Sequence, residues 1–324
     1  MNKVVFLFIA MLLSTGCSQN GDPENGVVTG EPQEFPERIE GTLEHQGNLR
    51  EYVLHIPPVY DGTEETPLVI VLHGGSGNAE SVQGFTQMNP VSDQNGFLVA
   101  YPQGFGPTPP GYSWADGRAT SATEMSIDDV GFIEKLIVEL ETEFNINSDS
   151  IYVCGFSNGG FMTQKLACEL ENTFAGIGTL GSTIGTDVLN QCATSQNIPM
   201  IFMLGDADSF VPYEGGTVAN NPSPIEGIES LVDYWVGNNT CLTSNNGVNL
   251  PDTDTTDNST VTFYEYTDCD CNANISFYRI NGGGHTWPGV ENTSYEEIAG
   301  ETNEDINASS VLWAFFSQHE LCLQ

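Results

Sequence analysis

The sequence has very few basic side chains. Its 324 residues contain 7 Lys and Arg against 44 Asp and Glu, which gives a formal net charge of −37 at pH 7. A surface of this charge repels phosphate backbones and anionic lipid headgroups, which excludes nucleic acid and lipid surfaces as partners. A polyanionic substrate is also unfavourable. We interpret the acidic surface as a means of staying soluble, suited to salty surroundings that screen the repulsion.

The chain also has no hydrophobic run long enough to span a membrane. Its first apolar stretch, from Val4 to Leu13, follows Lys3 and is shorter than the roughly 20 residues that a spanning helix needs. The pattern predicts an export signal over residues 1–17. Its ending, "LSTGC", resembles a bacterial lipobox, so we expect Cys17 to be lipidated and to provide the only membrane contact. Ordinary cleavage with free secretion is the alternative.

Residues 18–40 have few hydrophobic side chains. They are rich in Gly, Pro and acidic residues, which predicts a flexible linker. Residues 41–324 show no repeat, and their length suits one large catalytic domain of the α/β class.

No spacing of Cys and His residues indicates a zinc site, and Cys269 and Cys271 are too close together to begin one. The sequence therefore predicts no metal. The acidic loop at residues 249–260 is interpreted as a solvated loop, with calcium binding as the alternative.

Export favours disulfides. The chain has eight cysteines; Cys17 belongs to the export signal, and Cys154 lies in an apolar strand where it resembles a small buried hydrophobic residue. The pairing of the others is not determined by the residues themselves. They are Cys168, Cys192, Cys241, Cys269, Cys271 and Cys322.

Short apolar runs alternate with helical patterns along the domain. Residues 67–75, 97–102 and 198–208 have the composition of buried strands, whereas residues 128–144 place apolar side chains along one helical face. Strands that alternate with helices predict a mostly parallel central sheet with helices on both faces.

One strand leads into "GFSNGG", in which Gly155, Ser157 and Gly159 fit the nucleophile-elbow pattern G-x-S-x-G. In such an elbow the serine adopts strained dihedrals that lift its hydroxyl above the sheet, and glycines on either side prevent clashes. The following helix directs its positive end at the site. We interpret Ser157 as a nucleophile, with a merely tight turn as the alternative.

Only five histidines are available as a base, at positions 45, 55, 73, 285 and 319. The chain order in this type of site is Ser, acid, His, which leaves His285 and His319. His285 is favoured because it lies in the glycine-rich loop "NGGGHTWPG" after a strand, whereas His319 ends the last predicted helix. The acid is expected after an intermediate strand, where Asp206 and Asp208 are equivalent candidates.

An oxyanion hole requires two backbone N–H donors. The residue after the nucleophile, Asn158, is expected to supply one, and the loop "HGGSGN" is expected to supply the other near Gly75 or Ser76. His73 in that loop is interpreted as a brace. Trp114 and Trp287 are candidates for lining a substrate pocket, although aromatic residues lie more often in the core.

The segments "LHGGSGN", "DDVGF", "GFSNGG", "DSFVPYEGG" and "GGGHTWPG" occur in this order. Together they resemble the secreted α/β-hydrolase esterases grouped as polyhydroxybutyrate-depolymerase-like proteins, which overlap feruloyl and acetyl-xylan esterases. The resemblance runs from Gly41 to the C-terminus and implies the α/β-hydrolase fold.

The resemblance also assigns roles. The group's D-x-x-V-P pattern matches the segment from Asp208 to Pro212, which favours Asp208 over Asp206 as the acid. Ser157 is implied as the nucleophile and His285 as the base. The chain departs from the group at Leu204, where relatives often have His, but that residue is not part of the triad. The resemblance further implies the disulfides Cys168–Cys192, Cys241–Cys271 and Cys269–Cys322.

We therefore expect a serine carboxylic-ester hydrolase that forms an acyl-enzyme and needs no cofactor. The implied substrates are feruloyl or acetyl esters on plant polysaccharide, with a polyhydroxyalkanoate polyester as the alternative. A peptidase of the same fold ranks lower. So does a non-catalytic glycan-binding protein on a hydrolase scaffold, because the Ser, Asp and His set is complete.

Overall fold

The computed structural model describes residues 34–108, 111–118, 126–218, 221–291 and 293–323. The predicted export signal, Cys17 and most of the predicted linker lie outside the described residues.

A sheet of parallel strands forms the centre of the fold. In spatial order its middle strands are β4 (Leu98–Pro102), β3 (Thr66–Leu72), β7 (Ile146–Phe156), β8 (Gly176–Leu180), β9 (Met200–Gly205) and β15 (Ile275–Asn281). Each is parallel to its neighbour. The carboxyl ends of these strands therefore meet at one edge of the sheet, where loops can combine into a site.

Antiparallel strands flank this parallel centre. On one side lie β2 (Asn48–His55) and β1 (Arg38–His45); on the other lie β14 (Thr260–Thr267), β12 (Thr243–Ser244) and β13 (Val248–Asn249). Two small hairpins stand apart from the sheet: β5 (Phe105–Thr108) with β6 (Gly111–Ser113), and β10 (Gly216–Val218) with β11 (Asn221–Ile225). The mostly parallel sheet agrees with the α/β class that the sequence predicts.

Strand β1 begins inside the range that the sequence assigns to the linker. Arg38 pairs with His55 and Gly41 pairs with Tyr52, so the hairpin with β2 extends across the predicted boundary at residue 40. Hydrogen bonding to β2 orders these residues although their composition is polar.

Helices cover both faces of the sheet, as predicted. They are α1 (Ser81–Thr86), α2 (Met88–Asn95), α3 (Asp129–Glu143), α4 (Asn158–Glu169), α5 (Thr186–Gln191), α6 (Ile228–Asn238), α7 (Thr293–Ala299) and α8 (Ala308–Phe316). Alternate residues of β3 point to opposite faces. Leu68, Ile70 and Leu72 join the core under α3, α4 and α6, whereas Val69 and Val71 join the core under α1, α2 and α8.

The described part of the chain contains three disulfides, and Cys154 is a buried free thiol. Cys168 at the end of α4 is bonded to Cys192 after α5, the pair that the resemblance implies. The other two predicted pairings, Cys241–Cys271 and Cys269–Cys322, are wrong. The structure forms Cys241–Cys269 and Cys271–Cys322 instead.

Strand register explains this difference. Thr243 of β12 lies opposite Thr267 of β14 in an antiparallel pair. Continuing that register by two residues places Cys241 directly opposite Cys269, and their Cα atoms are 3.9 Å apart. Cys271, in the turn that follows, is then left to bond with Cys322.

Candidate active site

Ser157 occupies the sharp turn between β7, which ends at Phe156, and α4, which begins at Asn158. Its φ of 53° and ψ of −120° lie in a region that non-glycine residues rarely adopt. Its backbone N–H donates to the carbonyl of Leu180 at the end of β8, 2.9 Å away. The turn therefore has the geometry that the G-x-S-x-G spacing predicts.

The two glycines of the pattern are required by backbone contacts. A Cβ atom at Gly155 would lie 2.3 Å from the carbonyl oxygen of Gly159. A Cβ atom at Gly159 would lie 2.4 Å from the carbonyl oxygen of Leu72 in β3. Because both neighbours are backbone atoms, neither position accommodates a larger residue without moving the strands.

Asp208 and His285 form a buried pair at the carboxyl edge of the sheet. Asp208 Oδ2 lies 2.7 Å from His285 Nδ1, and their side chains are 0% and 4% exposed. The other oxygen, Oδ1, accepts hydrogen bonds from the backbone N–H groups of Phe210 and Val211, each at 2.8 Å. The carboxylate is thus fixed by its own loop and orients the imidazole, with Nε2 left for other contacts.

The second candidate acid, Asp206, is held elsewhere. Its Oδ2 accepts from Arg279 Nη2 and Nε at 3.0 and 3.2 Å, and its Oδ1 accepts from the backbone N–H of Gly282 at 2.7 Å. The geometry therefore distinguishes two carboxylates that the residues alone leave equivalent, and it places Asp208 beside the histidine.

His285 lies beside the serine turn. Its ring centroid is 4.6 Å from that of Phe156, the residue before Ser157. A Cβ atom at Gly181, which follows the hydrogen-bond partner of Ser157, would lie 3.3 Å from His285 Cε1. Among the residues that the structure describes, the Ser157 hydroxyl has no hydrogen-bond partner.

The predicted oxyanion-hole residues face one another across the turn. A Cβ atom at Gly75 would lie 3.5 Å from Asn158 Cβ. The N–H of Asn158 is in the first turn of α4, where backbone donors have no partner within the helix. The N–H of Ser76 already donates to Tyr112 at 2.8 Å, so Gly75 is the better placed donor in that loop.

His73 braces the same loop, as the sequence predicts. Its Nδ1 donates to the carbonyl of Gly74 at 2.8 Å, and its Nε2 accepts from the N–H of Gly104 at 3.0 Å. This arrangement needs a neutral imidazole. Burial lowers the pKa of His73 from 6.5 to about 4, which keeps it neutral.

A cleft of about 410 Å³ opens beside the turn. The glycine-rich loop 74–77 lines the cleft, and so do the aromatic residues Phe85, Phe156 and Tyr295. The Phe85 ring centroid lies 4.8 Å from that of Phe156 and 5.9 Å from that of Tyr295. Burial, with the charge of Asp208 nearby, raises the pKa of Tyr295 to about 12 and keeps its phenol neutral.

The tryptophans that we expected in the pocket lie in the core, so that prediction is wrong. Trp114 is 4% exposed and its indole N–H donates to the carbonyl of His73 at 2.9 Å. Trp287 is 1% exposed and donates to Ser309 at 3.2 Å. Both indole N–H groups have a hydrogen-bond partner inside the protein, so both side chains can be buried completely.

The sequence analysis does not identify Phe85 and Tyr295 as cleft residues. Phe85 follows the glycine-rich loop that carries Gly75, and Tyr295 follows the loop that carries His285. Their position after these two loops is the sequence signal that could identify them.

In the described ranges, no group of three or more His, Cys, Asp or Glu side chains is arranged to hold a metal ion. Two carboxylates of the acidic loop cap local turns: Asp254 accepts from Thr256, and Asp257 accepts from Ser259.

Among the residues that the structure describes, no helix is both long and apolar enough to cross a membrane.

The chain is similar to known esterases. The model of the family described as "Esterase PHB depolymerase" matches residues 50–203. The chain is 26% identical over 282 residues to a putative esterase, NocK, of Nocardia uniformis, an alignment that covers 81% of this chain and 78% of that protein. The predicted resemblance is confirmed. This chain is an ester hydrolase.

Two further similarities extend the comparison. A probable feruloyl esterase C of Aspergillus niger is 25% identical over 277 residues, covering 83% of each chain. The solved structure of an acetyl xylan esterase from Aspergillus awamori superimposes with a TM-score of 0.53 at 16% identity, over 81% of this chain and 98% of that chain. That similarity shows that the ester hydrolase has the α/β-hydrolase fold.

Proposed function

We propose that this ester hydrolase works through a serine nucleophile and an acyl-enzyme. Ser157 Oγ attacks the ester carbonyl while His285 Nε2 takes the hydroxyl proton, and Asp208 stabilises the imidazolium that forms. The oxyanion accepts hydrogen bonds from the backbone N–H groups of Gly75 and Asn158. His285 then protonates the leaving alcohol, and a water molecule, activated by the same imidazole, releases the acid.

The observation that carries this proposal is the pairing of a strained serine with a buried, carboxylate-bound histidine. Ser157 adopts φ 53° at the start of α4, and His285 is 2.7 Å from Asp208 next to that turn. Backbone strain at a strand-to-helix turn persists only where the surrounding structure maintains it, and such residues concentrate at active sites. A purely structural turn would not need a buried pair of a carboxylate and an imidazole beside it.

For the substrate we propose esters of aromatic acids, such as feruloyl groups on plant polysaccharide. A cleft of about 410 Å³ is much larger than an acetyl group requires, and three aromatic rings line it. Flat rings pack favourably against such side chains in offset or edge-to-face arrangements. One curated relative is named a probable feruloyl esterase C, which agrees with this substrate class.

We further propose that the protein is exported and that Cys17 carries a lipid anchor. Three disulfides among the described residues suit an oxidising compartment. A tether at the cell surface also suits a polymeric substrate that cannot enter the cell. Metabolic labelling with a palmitate analogue tests the anchor: the intact chain should be labelled, and a Cys17→Ala variant should not be.

The function is tested by hydrolysis with the purified protein and its Ser157→Ala variant. The panel contains p-nitrophenyl acetate, methyl ferulate, acetylated xylan and a polyhydroxybutyrate film. We expect turnover of methyl ferulate, and we expect Ser157→Ala to lower kcat by about 10⁴-fold to 10⁶-fold. A variant that retains turnover contradicts the serine mechanism. Serine-dependent activity on the film alone would instead support the polyester alternative.

The aromatic acyl site has its own test. Phe85→Ala should lower kcat/KM for methyl ferulate by about 10-fold relative to p-nitrophenyl acetate, because it removes one ring from the cleft. Phe263→Ala is the matched control, since Phe263 packs on Tyr278 in the sheet, at a ring-centroid distance of 4.7 Å, and does not line the cleft. Equal losses for both esters would contradict the assignment of this cleft to the acyl group.

A further inference from the structure

The side chain of Asn158 is fixed by three hydrogen bonds, although only its backbone N–H is expected to meet the substrate. Its Oδ1 accepts from the N–H of Trp114 at 2.7 Å, and its Nδ2 donates to the carbonyl of Trp114 at 3.1 Å. Nδ2 also donates to Asp116 Oδ2 at 2.6 Å. The first residue of α4 is therefore held to the segment that follows β6.

Asp116 is itself part of a buried ion pair. Its Oδ2 accepts from Arg118 Nε at 3.1 Å and Nη2 at 2.5 Å, and its Oδ1 accepts from the N–H of Arg118 at 3.0 Å. The two residues are 5% and 7% exposed. The guanidinium carbon lies 3.3 Å from the ring centroid of Phe161, one turn along α4 from Asn158. Asp116 and Arg118 therefore both contact residues of α4, the helix that begins directly after Ser157.

Charge explains why the two residues occur together. During ester hydrolysis a negative charge develops on the carbonyl oxygen near the Asn158 N–H. An uncompensated carboxylate one side chain away would oppose that charge, and it would do so strongly because the site is buried. Arg118 neutralises Asp116, so the carboxylate can hold Asn158 without destabilising the oxyanion.

We infer that Asp116 and Arg118 are positioning residues for the oxyanion hole, acting through the Asn158 side chain. They hold the first N–H of α4 in the direction of the oxyanion, while their combined charge at that point is close to zero. This inference rests on the proposed function, since it assumes that Ser157 is the nucleophile. Asp116 and Arg118 themselves need no contact with the substrate.

The test uses Asn158→Ala, which removes the side-chain contacts but keeps the backbone N–H. We expect kcat for p-nitrophenyl acetate to fall about 10-fold to 100-fold with KM within about twofold, because a misdirected donor loses stabilisation of the transition state only. Thr163→Val is the matched control on the same helix. It removes buried hydrogen bonds to Gly160 and Thr179 away from the site, and should lower the melting temperature without lowering kcat.

A second variant tests the route through Asn158. Asp116→Ala should lower kcat in the same way, and the double variant with Asn158→Ala should be no slower than the slower single variant, because both changes break the same connection. Multiplied losses in the double variant would overturn the inference, as would a normal kcat in both single variants. If Asn158→Ala does not fold, the kcat and KM of Asp116→Ala decide by the same criterion.

Ser157→Ala, measured in parallel, separates this inference from the proposed function. If Ser157→Ala is inactive while Asn158→Ala and Asp116→Ala turn over normally, only the positioning role is overturned. If Ser157→Ala remains active, the proposed mechanism fails and the positioning role fails with it.

Discussion

Arg279 donates two hydrogen bonds to Asp206, whose Oδ2 lies 3.0 and 3.2 Å from the two guanidinium nitrogens. Asp206 also accepts from the N–H of Gly282, three residues before His285. This carboxylate therefore fixes the loop that carries the histidine. Asp208, two residues later, contacts the imidazole itself.

Exchanging each carboxylate for an amide should separate these roles. Asp208→Asn should lower kcat by about 10⁴-fold, because an amide cannot hold the imidazole in the required tautomer or stabilise its charged form. Asp206→Asn should leave kcat within about threefold and cost about 1 kcal/mol or less of unfolding free energy, since Arg279 is partly exposed to solvent. Steady-state kinetics and urea unfolding measure both effects. Equal kinetic losses would contradict the assignment.

The lowered pKa of His73 should make the stability of the protein depend on pH. Because its pKa falls from 6.5 to about 4 on folding, the unfolded chain binds a proton that the folded protein does not bind between these pH values. The free energy of unfolding contributed by this group is therefore fully present above pH 6.5 and is lost as the pH falls towards 4. The loss should amount to about 3 kcal/mol.

Urea unfolding of the protein and of His73→Gln at several pH values isolates this contribution. Both proteins have the same acidic surface and the same His319, and burial lowers the pKa of His319 as well. These effects therefore cancel when the unfolding free energy of the variant is subtracted from that of the unaltered protein. We expect the stability curve of the variant to be flatter between pH 4 and 6.5. Parallel curves would contradict the lowered pKa of His73 in the folded protein.

The disulfide pairing can be read directly from peptides. Cleavage before Asp270 separates Cys269 from Cys271, so non-reducing peptide mapping should link Cys241 to Cys269 and Cys271 to Cys322. A peptide that links Cys241 to Cys271 would contradict the register of β12 on β14. Replacing Cys168 and Cys192 together by Ser should cost about 3 kcal/mol of unfolding free energy, because that bond closes a loop of roughly 25 residues.

The glycines of the serine turn should not tolerate even a methyl group. Gly155→Ala should lower the unfolding free energy by more than about 2 kcal/mol and lower kcat, because the new Cβ would meet the backbone of Gly159. Gly237→Ala provides the contrast. Its Cβ in α6 would have open space within 4 Å, so the change should stabilise the protein by about 0.5–1 kcal/mol. Thermal unfolding of both variants is the measurement.

Much of the site could be predicted because local sequence specifies it. The G-x-S-x-G spacing fixes a turn within five residues, and the glycine-rich loop around His285 follows a recognisable strand. The D-x-x-V-P pattern of the resemblance favours Asp208 over Asp206, but residue type and position alone leave the two carboxylates equivalent, because the physical basis of the choice is a contact between strands. It depends on Arg279, a residue of β15 that pairs with β9 only in the folded sheet.

The remaining errors also concern long-range contacts. The disulfides of Cys241 and Cys271 depend on the register of β12, a strand of two residues whose pairing has no clear sequence pattern. Trp114 and Trp287 are of a residue type that often lines pockets. They can lie in the core because the indole N–H of Trp114 bonds to His73 and that of Trp287 bonds to Ser309, and both contacts form only in the folded protein. The cleft residues Phe85 and Tyr295 come from helices separated by most of the chain.

The parallel arrangement of β7, β9 and β15 also determines when the site can appear during folding. Ser157, Asp208 and His285 follow these three strands, and adjacent parallel strands require long crossover connections. Contacts between residues so distant in sequence form slowly, because much chain entropy is lost before they are made. Helix content should therefore return early after dilution from denaturant, whereas ester turnover should return only when the last parallel strand has joined the sheet.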